Sequence, residues 1–129
     1  MTAFKTYQPA TTYRPPSAYA LAVEAPATAR WLHISGQVGA DKDGKPRDGI
    51  EAQLEQIFFN LGEILKEAGM TRENLVKITI FLTDAKDIGV MRQVRDRFMA
   101  GHLCASSLLI VAGLSSPAWL AEVEAVAAA

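Results

Sequence analysis

The sequence predicts an α+β fold in which two helices cover one face of a single mixed sheet. Two observations carry this prediction. Two segments repeat apolar residues at helical steps of three and four, and five segments have the pattern of strands. Their order is β-β-α-β-α-β-β, with a hairpin expected at each end. The 129 residues, 50% hydrophobic and 21% charged, suit one globular domain over residues 1–129.

The predicted strands are marked by alternation or by short apolar runs between turn residues. The clearest is the third, where every second residue from Val76 to Leu82 is aliphatic. Because alternate side chains of a strand point to opposite faces, this strand has one fully apolar face. The five predicted strands cover residues 18–23, 31–38, 74–82, 106–114 and 119–127.

The first predicted helix covers residues 50–68, whose apolar side chains form one stripe. Asp48 and Glu51 have the spacing of a capping box, which satisfies free backbone N–H groups where a helix starts. Gly69 is placed to end the helix in the left-handed conformation. We therefore expect a long amphipathic helix with defined ends.

The second predicted helix begins at Asp84 or Asp87 and ends near Gly101. Arg92 lies within it, beside the apolar stripe. Such an arginine usually lays its stem on the surface and keeps its charge in water. Alternatively, it offers a two-pronged donor to a small carboxylate.

The sheet face away from the helices is also predicted to be apolar. A large apolar face is unusual on a monomer, so we expect a homo-oligomer formed through it. The alternative is that these residues are scattered surface side chains, which are common. The face would carry Trp31, Phe81, one register of residues 108–111, and either Tyr19 with Leu21 or Ala20 with Ala22.

Composition excludes several classes of function. The net charge of −1 gives no basic footprint for nucleic acid. No apolar stretch approaches the ~20 residues of a membrane-spanning helix. His33 and His102 lack ligand-type neighbours, so no metal is expected. With Cys104 as the lone cysteine, the sequence predicts a cytoplasmic protein.

Two further groups could carry chemistry. Glu122 and Glu124 fall on one face of the last strand, where a carboxylate could position or activate water. The alternative is that both point to solvent beside a basic residue. Cys104 follows His102 by two residues, but no third orienting group is evident, and a lone cysteine is more often an inert small hydrophobe.

Four motifs together resemble the Rid family, also called YjgF/YER057c/UK114. They are Leu-His-Ile-Ser-Gly-Gln-Val at 32–38, Glu-Ala-Gly at 67–69, the strand at 75–84 and Glu-Val-Glu-Ala-Val-Ala at 122–127. The resemblance implies a chorismate-mutase-like fold of the bacillus type and a homotrimer with small-molecule sites in the clefts between subunits. It also implies hydrolysis of imines, enamines or aminomuconate-like intermediates without a cofactor. Older family labels are endoribonuclease and translation inhibitor.

The resemblance assigns roles to single residues. Glu122 matches the acid that orients the attacking water. Tyr19 matches the aromatic hydroxyl that lines the cleft, and Ser35 with Gly36 matches the Ser-Gly of its wall.

Two positions depart from the family pattern. Deaminase members read Pro-Ala-Arg-Ser where this chain has Ser106, and their arginine clamps the substrate carboxylate. A neutral hydroxyl in place of a charged two-pronged donor costs roughly ten- to a hundredfold in affinity. Arg92 falls where deaminase members commonly carry asparagine, and it could bring a positive charge to the cleft from another direction.

Two functions of different classes follow. The first is an imine or enamine deaminase, favoured by Glu122, Ser35, Gly36 and Tyr19. The second is a non-catalytic protein that binds a small metabolite on the same scaffold, favoured by Ser106. A ribonuclease is disfavoured, because near-neutral charge offers little to phosphates and no histidine pair suits acid–base cleavage.

Overall fold

The computed structural model describes residues 4–14 and 16–129. Two helices, α1 (Ile50–Glu67) and α2 (Ile88–Met99), pack together on one face of a mixed sheet, which confirms the predicted α+β class. The strands are β1 (Lys5–Tyr7), β2 (Ala22–Glu24), β3 (Trp31–Val38), β4 (Leu75–Leu82), β5 (Ala105–Ile110) and β6 (Ala121–Ala128).

The main sheet has the order β3-β6-β4-β5. β4 and β5 are parallel and are joined through α2, whereas the other neighbours are antiparallel. The expected hairpin between the last two strands is therefore wrong, because β4 lies between β5 and β6. The expected hairpin at the other end is also wrong, since β2 pairs with β1 in a separate two-stranded ribbon.

The chain before β3 differs most from the prediction. A strand was expected over residues 18–23, but β2 begins only at Ala22, and Ala20 makes a single bridge to Ala105 on the sheet edge. β1 was not predicted. All three of its residues are exposed, so it carries no alternation of apolar and polar side chains from which a strand could be read.

The ends of the helices follow glycine and turn geometry rather than the predicted capping box. The residue before α1 is Gly49, at φ 88°, and no side chain caps the helix there, so the Asp48–Glu51 capping box is wrong. Gly69 has φ 72°, which confirms its left-handed conformation after α1. Asp84 accepts a bond from the Lys86 N–H at 2.9 Å, but it caps the short 3₁₀ turn Ala85–Asp87 that precedes α2.

The alternation of buried and partly exposed side chains along β4 distinguishes the two faces of the sheet. Ile78, Ile80 and Leu82 are fully buried in the core under the helices. By register, Phe81 pairs with Leu109 and lies on the opposite, open face, and Trp31 lies on that face from β3. Lys77, Thr79 and Glu124 also occupy it, so this face mixes apolar and polar side chains. The predicted partners Tyr19 and Leu21, or Ala20 and Ala22, belong to the segment outside the main sheet.

Candidate functional site

One cavity brings together three of the predicted site residues. It measures about 150 Å³ and lies between α2, β5 and the segment that precedes β2. Tyr19, Arg92 and Ser106 line it, and Ser17 and Arg95, which were not predicted, line it with them. The cavity therefore has two guanidinium groups and three hydroxyl groups around it, a set suited to a small polar anion.

Arg95 is the buried charge of this cavity, with 3% of its surface exposed. Its Nε donates to the Asp96 carboxylate at 2.9 Å. Its Nη2 has no hydrogen-bond partner, and among the described residues it is the one buried side-chain nitrogen or oxygen in that condition. Arg92, one helical turn earlier, is exposed. The sequence signal that could have revealed Arg95 is a charge within the apolar stripe of α2, between buried Val94 and half-buried Phe98.

Tyr19 forms another wall of the cavity. Its hydroxyl lies 3.1 Å from the Tyr13 hydroxyl, and either oxygen can be the donor. This hydrogen bond, with partial desolvation, raises the pKa of Tyr19 above its ordinary value, while Arg92 and Arg95 oppose the rise. Tyr19 is therefore a neutral donor or acceptor near neutral pH. It also lines a neighbouring cavity of about 320 Å³ with Arg14 and Leu103.

The other predicted residues lie on the open face of the sheet. β3 has an irregularity between Ile34 and Gln37, so Ser35 and Gly36 together occupy the place of one residue in the pairing with β6. A Cβ built on Gly36 would overlap the Glu122 carboxylate. Glycine at this position is what allows that carboxylate to lie against the β3 backbone.

The two groups of predicted residues lie on opposite faces of the sheet in one chain. Glu122 pairs with Phe81 on the open face, whereas Ser106 pairs with Ile78 on the helix face. Side chains an odd number of positions apart on β4 point in opposite directions. A single chain thus presents two separate groups of polar side chains, one with two arginines and one with an acidic residue.

The Cys104 thiol is not placed for nucleophilic catalysis. It is 2% exposed, and burial raises its pKa to about 12, so the thiolate is scarce at neutral pH. The Nε2 of His102 lies 2.8 Å from the Leu75 carbonyl oxygen, so this ring is engaged with the backbone. The reading of Cys104 as an inert hydrophobe fits this environment.

The part of the chain that the structure describes, residues 4–14 and 16–129, offers neither a metal site nor a membrane-spanning helix. This part of the chain contains no group of three or more His, Cys, Asp or Glu side chains arranged to hold a metal ion. It also contains no helix long and apolar enough to cross a membrane.

Comparison with known proteins places this fold and these motifs in one family. Residues 11–129 match the family described as Endoribonuclease L-PSP. The chain belongs to this family, which is the Rid (YjgF/YER057c/UK114) family. The resemblance expected from the sequence motifs is thereby confirmed.

Two relatives and one solved structure illustrate the match. A 2-iminobutanoate/2-iminopropanoate deaminase from Rattus norvegicus is 33% identical over 90% of this chain and 85% of its own length. A RutC family protein from Aquifex aeolicus is 42% identical over 53% of this chain, and the match spans 55% of that protein. The crystal structure of YyfB, a Rid protein of unknown function from Yersinia pestis, superposes with a TM-score of 0.88 and 29% identity, covering 98% of each chain.

Proposed function

We propose that this chain hydrolyses the C=N bond of a reactive imine, or of its enamine tautomer, to a carbonyl compound and ammonia. The observation that carries the proposal is the Glu122 carboxylate resting on Gly36, where its oxygens can hold and orient a water molecule. The similarity to a relative named as an imine deaminase, at 33% identity, supports the same reaction class. We further propose that it acts as a single Rid-family domain in the cytoplasm, without a cofactor or metal.

The proposed reaction needs only water and one acid–base group. The water oxygen attacks the imine carbon while the Glu122 carboxylate accepts a proton from the water. The C=N electron pair moves to nitrogen, and the protonated Glu122 returns its proton there, which gives a neutral carbinolamine. The Glu122 carboxylate then takes the proton of the carbinolamine hydroxyl and passes it to the amino nitrogen. The C–N bond breaks, and ammonia leaves as the carbonyl forms. Atoms balance as imine plus water giving carbonyl compound plus ammonia.

We place the complete site in a cleft between copies of the chain. Within one copy, Glu122 faces away from the cavity of Tyr19, Arg92 and Ser106. In a closed ring, one edge of each subunit meets a different surface of the next, so Glu122 of one copy can approach the cavity of its neighbour. Trp31 and Leu109, 49% and 44% exposed, supply apolar surface for such a contact. We propose the homotrimer as that ring.

The alternative function is binding of a small metabolite without turnover. Ser106 favours it, because a neutral hydroxyl stands where deaminase members of the family have arginine. This alternative keeps the cavity and the association of subunits but gives Glu122 no chemical role. Both functions predict that a small ligand binds, so only a measurement of turnover distinguishes them.

The test generates 2-iminobutanoate and 2-iminopropanoate in solution and follows release of ammonia and oxo acid. We expect acceleration by the wild-type protein and a loss of about a hundredfold or more in Glu122→Gln. Glu124→Gln is the matched control, since Glu124 lies on the same strand and face two residues away, and it should stay within about twofold. Folded protein that accelerates no imine would overturn the deaminase in favour of the binding protein.

A further inference from the structure

We propose that Arg95 is the principal anion-binding residue of this protein and that it holds the carboxylate of a small organic acid in the cavity it shares with Ser106. The proposal deepens the proposed function, because that carboxylate would belong to the imine substrate or to the oxo acid product. In this chain β5 carries Ser106 in place of an arginine, so β5 has no guanidinium to bind the carboxylate. The proposal assigns carboxylate binding to Arg95 on α2 instead.

The Arg95 guanidinium is buried with part of its donor set unpaired. A guanidinium carries five N–H donors, and a buried one is strongly disfavoured unless its donors are paired. Asp96 satisfies Nε, but Nη2 is buried without a partner in the described part of the chain. The donor set is therefore incomplete at Nη2, and a carboxylate oxygen is the acceptor that suits a guanidinium best.

Arg95 shares its cavity with a second arginine. Arg92, three residues earlier, lines the same cavity, so two positive charges approach one small space. Without an anion these charges repel each other. Asp96 offsets part of the charge, but its side chain is 47% exposed and bonds to Nε at the edge of the guanidinium. Ser17, Tyr19 and Ser106 add hydroxyl groups that can donate to the same anion.

The size of the cavity restricts the ligand. At about 150 Å³ it accepts a carboxylate with a few attached atoms. The remainder of a substrate would extend toward the neighbouring copy and its Glu122. Three- and four-carbon oxo acids fit this description.

The test measures binding of 2-oxobutanoate by calorimetry, with the neutral 2-oxobutanamide as the uncharged comparison. We expect the acid to bind at least about tenfold more tightly than the amide. Arg95→Gln should weaken acid binding by roughly ten- to a hundredfold, and Arg95→Lys by less. Arg97→Gln is the matched control, because it removes the same charge from α2 at an exposed position paired with Glu55 outside this cavity, and it should bind as the wild type does.

Arg95 is buried, so the test has a second readout that needs no variant. The Nε–H resonance of Arg95 in wild-type protein should shift on addition of 2-oxobutanoate, and that of Arg97 should not. Equal binding of acid and amide, an unmoved Arg95 resonance, or unchanged affinity in folded Arg95→Gln would overturn the proposal. Loss of subunit association in Arg95→Gln with unchanged affinity would also overturn it, since Arg95 would then serve a contact between copies.

The outcomes for the two proposals remain distinguishable. Glu122→Gln should bind 2-oxobutanoate like the wild type while losing turnover. Arg95-dependent binding in a protein that accelerates no imine would retain the anion site and remove the deaminase. Turnover that is indifferent to folded Arg95→Gln would retain the deaminase and remove the anion site.

Discussion

The carboxylate of Glu122 rests on the backbone of Gly36: a Cβ built on that glycine would lie 2.7 Å from the Glu122 Cδ. This contact joins β3 at the edge of the sheet to its antiparallel neighbour β6, at the irregularity in their pairing. It explains why a Ser-Gly pair accompanies the acid, since any larger residue at 36 would displace the carboxylate.

Gly36→Ala should lower turnover while leaving the fold intact. The added methyl must push the end of the flexible Glu122 side chain aside, and a misplacement of about 1 Å can cost about a hundredfold in rate. The measurement is kcat/KM for 2-iminobutanoate, with thermal unfolding as the check on folding. Gly113→Ala is the control, because a Cβ there meets nothing within 4 Å, and it should keep wild-type turnover. Unchanged activity in Gly36→Ala would mean that the position of Glu122 is unimportant.

Gln53→Leu should destabilise the protein by about 2–4 kcal/mol. Gln53 is 2% exposed, donates to the Arg47 and Ala118 carbonyl oxygens at 3.1 and 2.9 Å, and accepts from the Leu120 N–H at 2.9 Å. Leucine would leave three backbone groups without these partners. Urea unfolding measures the loss, and exposed Gln93→Leu should change stability by no more than about 0.5 kcal/mol. Equal effects of the two substitutions would contradict the role of Gln53.

Stability should fall at alkaline pH through Cys104. Burial raises its pKa from 9.0 to about 12, so between these values the folded state keeps a proton that the unfolded state has released. The contribution is therefore fully present below pH 9.0 and is lost as pH rises toward 12. By pH ~10 the loss is about 1 kcal/mol. Unfolding of wild type and Cys104→Ala between pH ~7 and ~10 should show a difference that shrinks with pH; a constant difference would refute the assignment.

Moving the guanidinium from α2 to β5 should restore carboxylate binding. Ser106 and Arg95 line one cavity, so Ser106→Arg in the Arg95→Gln background places a guanidinium in the same space from the opposite wall. We expect the double variant to recover at least about tenfold of the lost affinity for 2-oxobutanoate. In wild-type protein the same Ser106→Arg substitution should lower the unfolding temperature, because three arginines would then surround the cavity. If the double variant bound 2-oxobutanoate no more tightly than Arg95→Gln alone, a shared carboxylate site would be contradicted.

Local patterns in the sequence were sufficient to predict the helices and most of the main sheet. The alternation of β4 and the apolar stripe of α1 are properties of single segments, so the residues concerned reveal them directly. The order of the strands was not predictable in this way. That β6 inserts between β3 and β4 depends on long-range packing, and exposed β1 has no pattern to read.

The candidate site was predictable only in parts. The motifs drew attention to Glu122, Gly36, Tyr19, Arg92 and Ser106, but the division between two faces follows from strand register, which the sequence alone left open. Arg95 was not predicted, because an arginine within an apolar helical stripe gives the same sequence pattern whether its guanidinium is exposed to water or buried. Its unpaired Nη2 is a property of the packed molecule.

The central claim is that one complete site combines Glu122 of one copy with the Arg95 cavity of another. Its most direct test mixes Glu122→Gln and Arg95→Gln chains, each weakly active alone, after reversible dissociation into subunits. In a closed ring of randomly mixed chains, about one quarter of the sites receive both wild-type residues, so about one quarter of wild-type imine hydrolysis should return. Mixtures that are shown to exchange subunits and yet remain as inactive as the separate variants would contradict the claim.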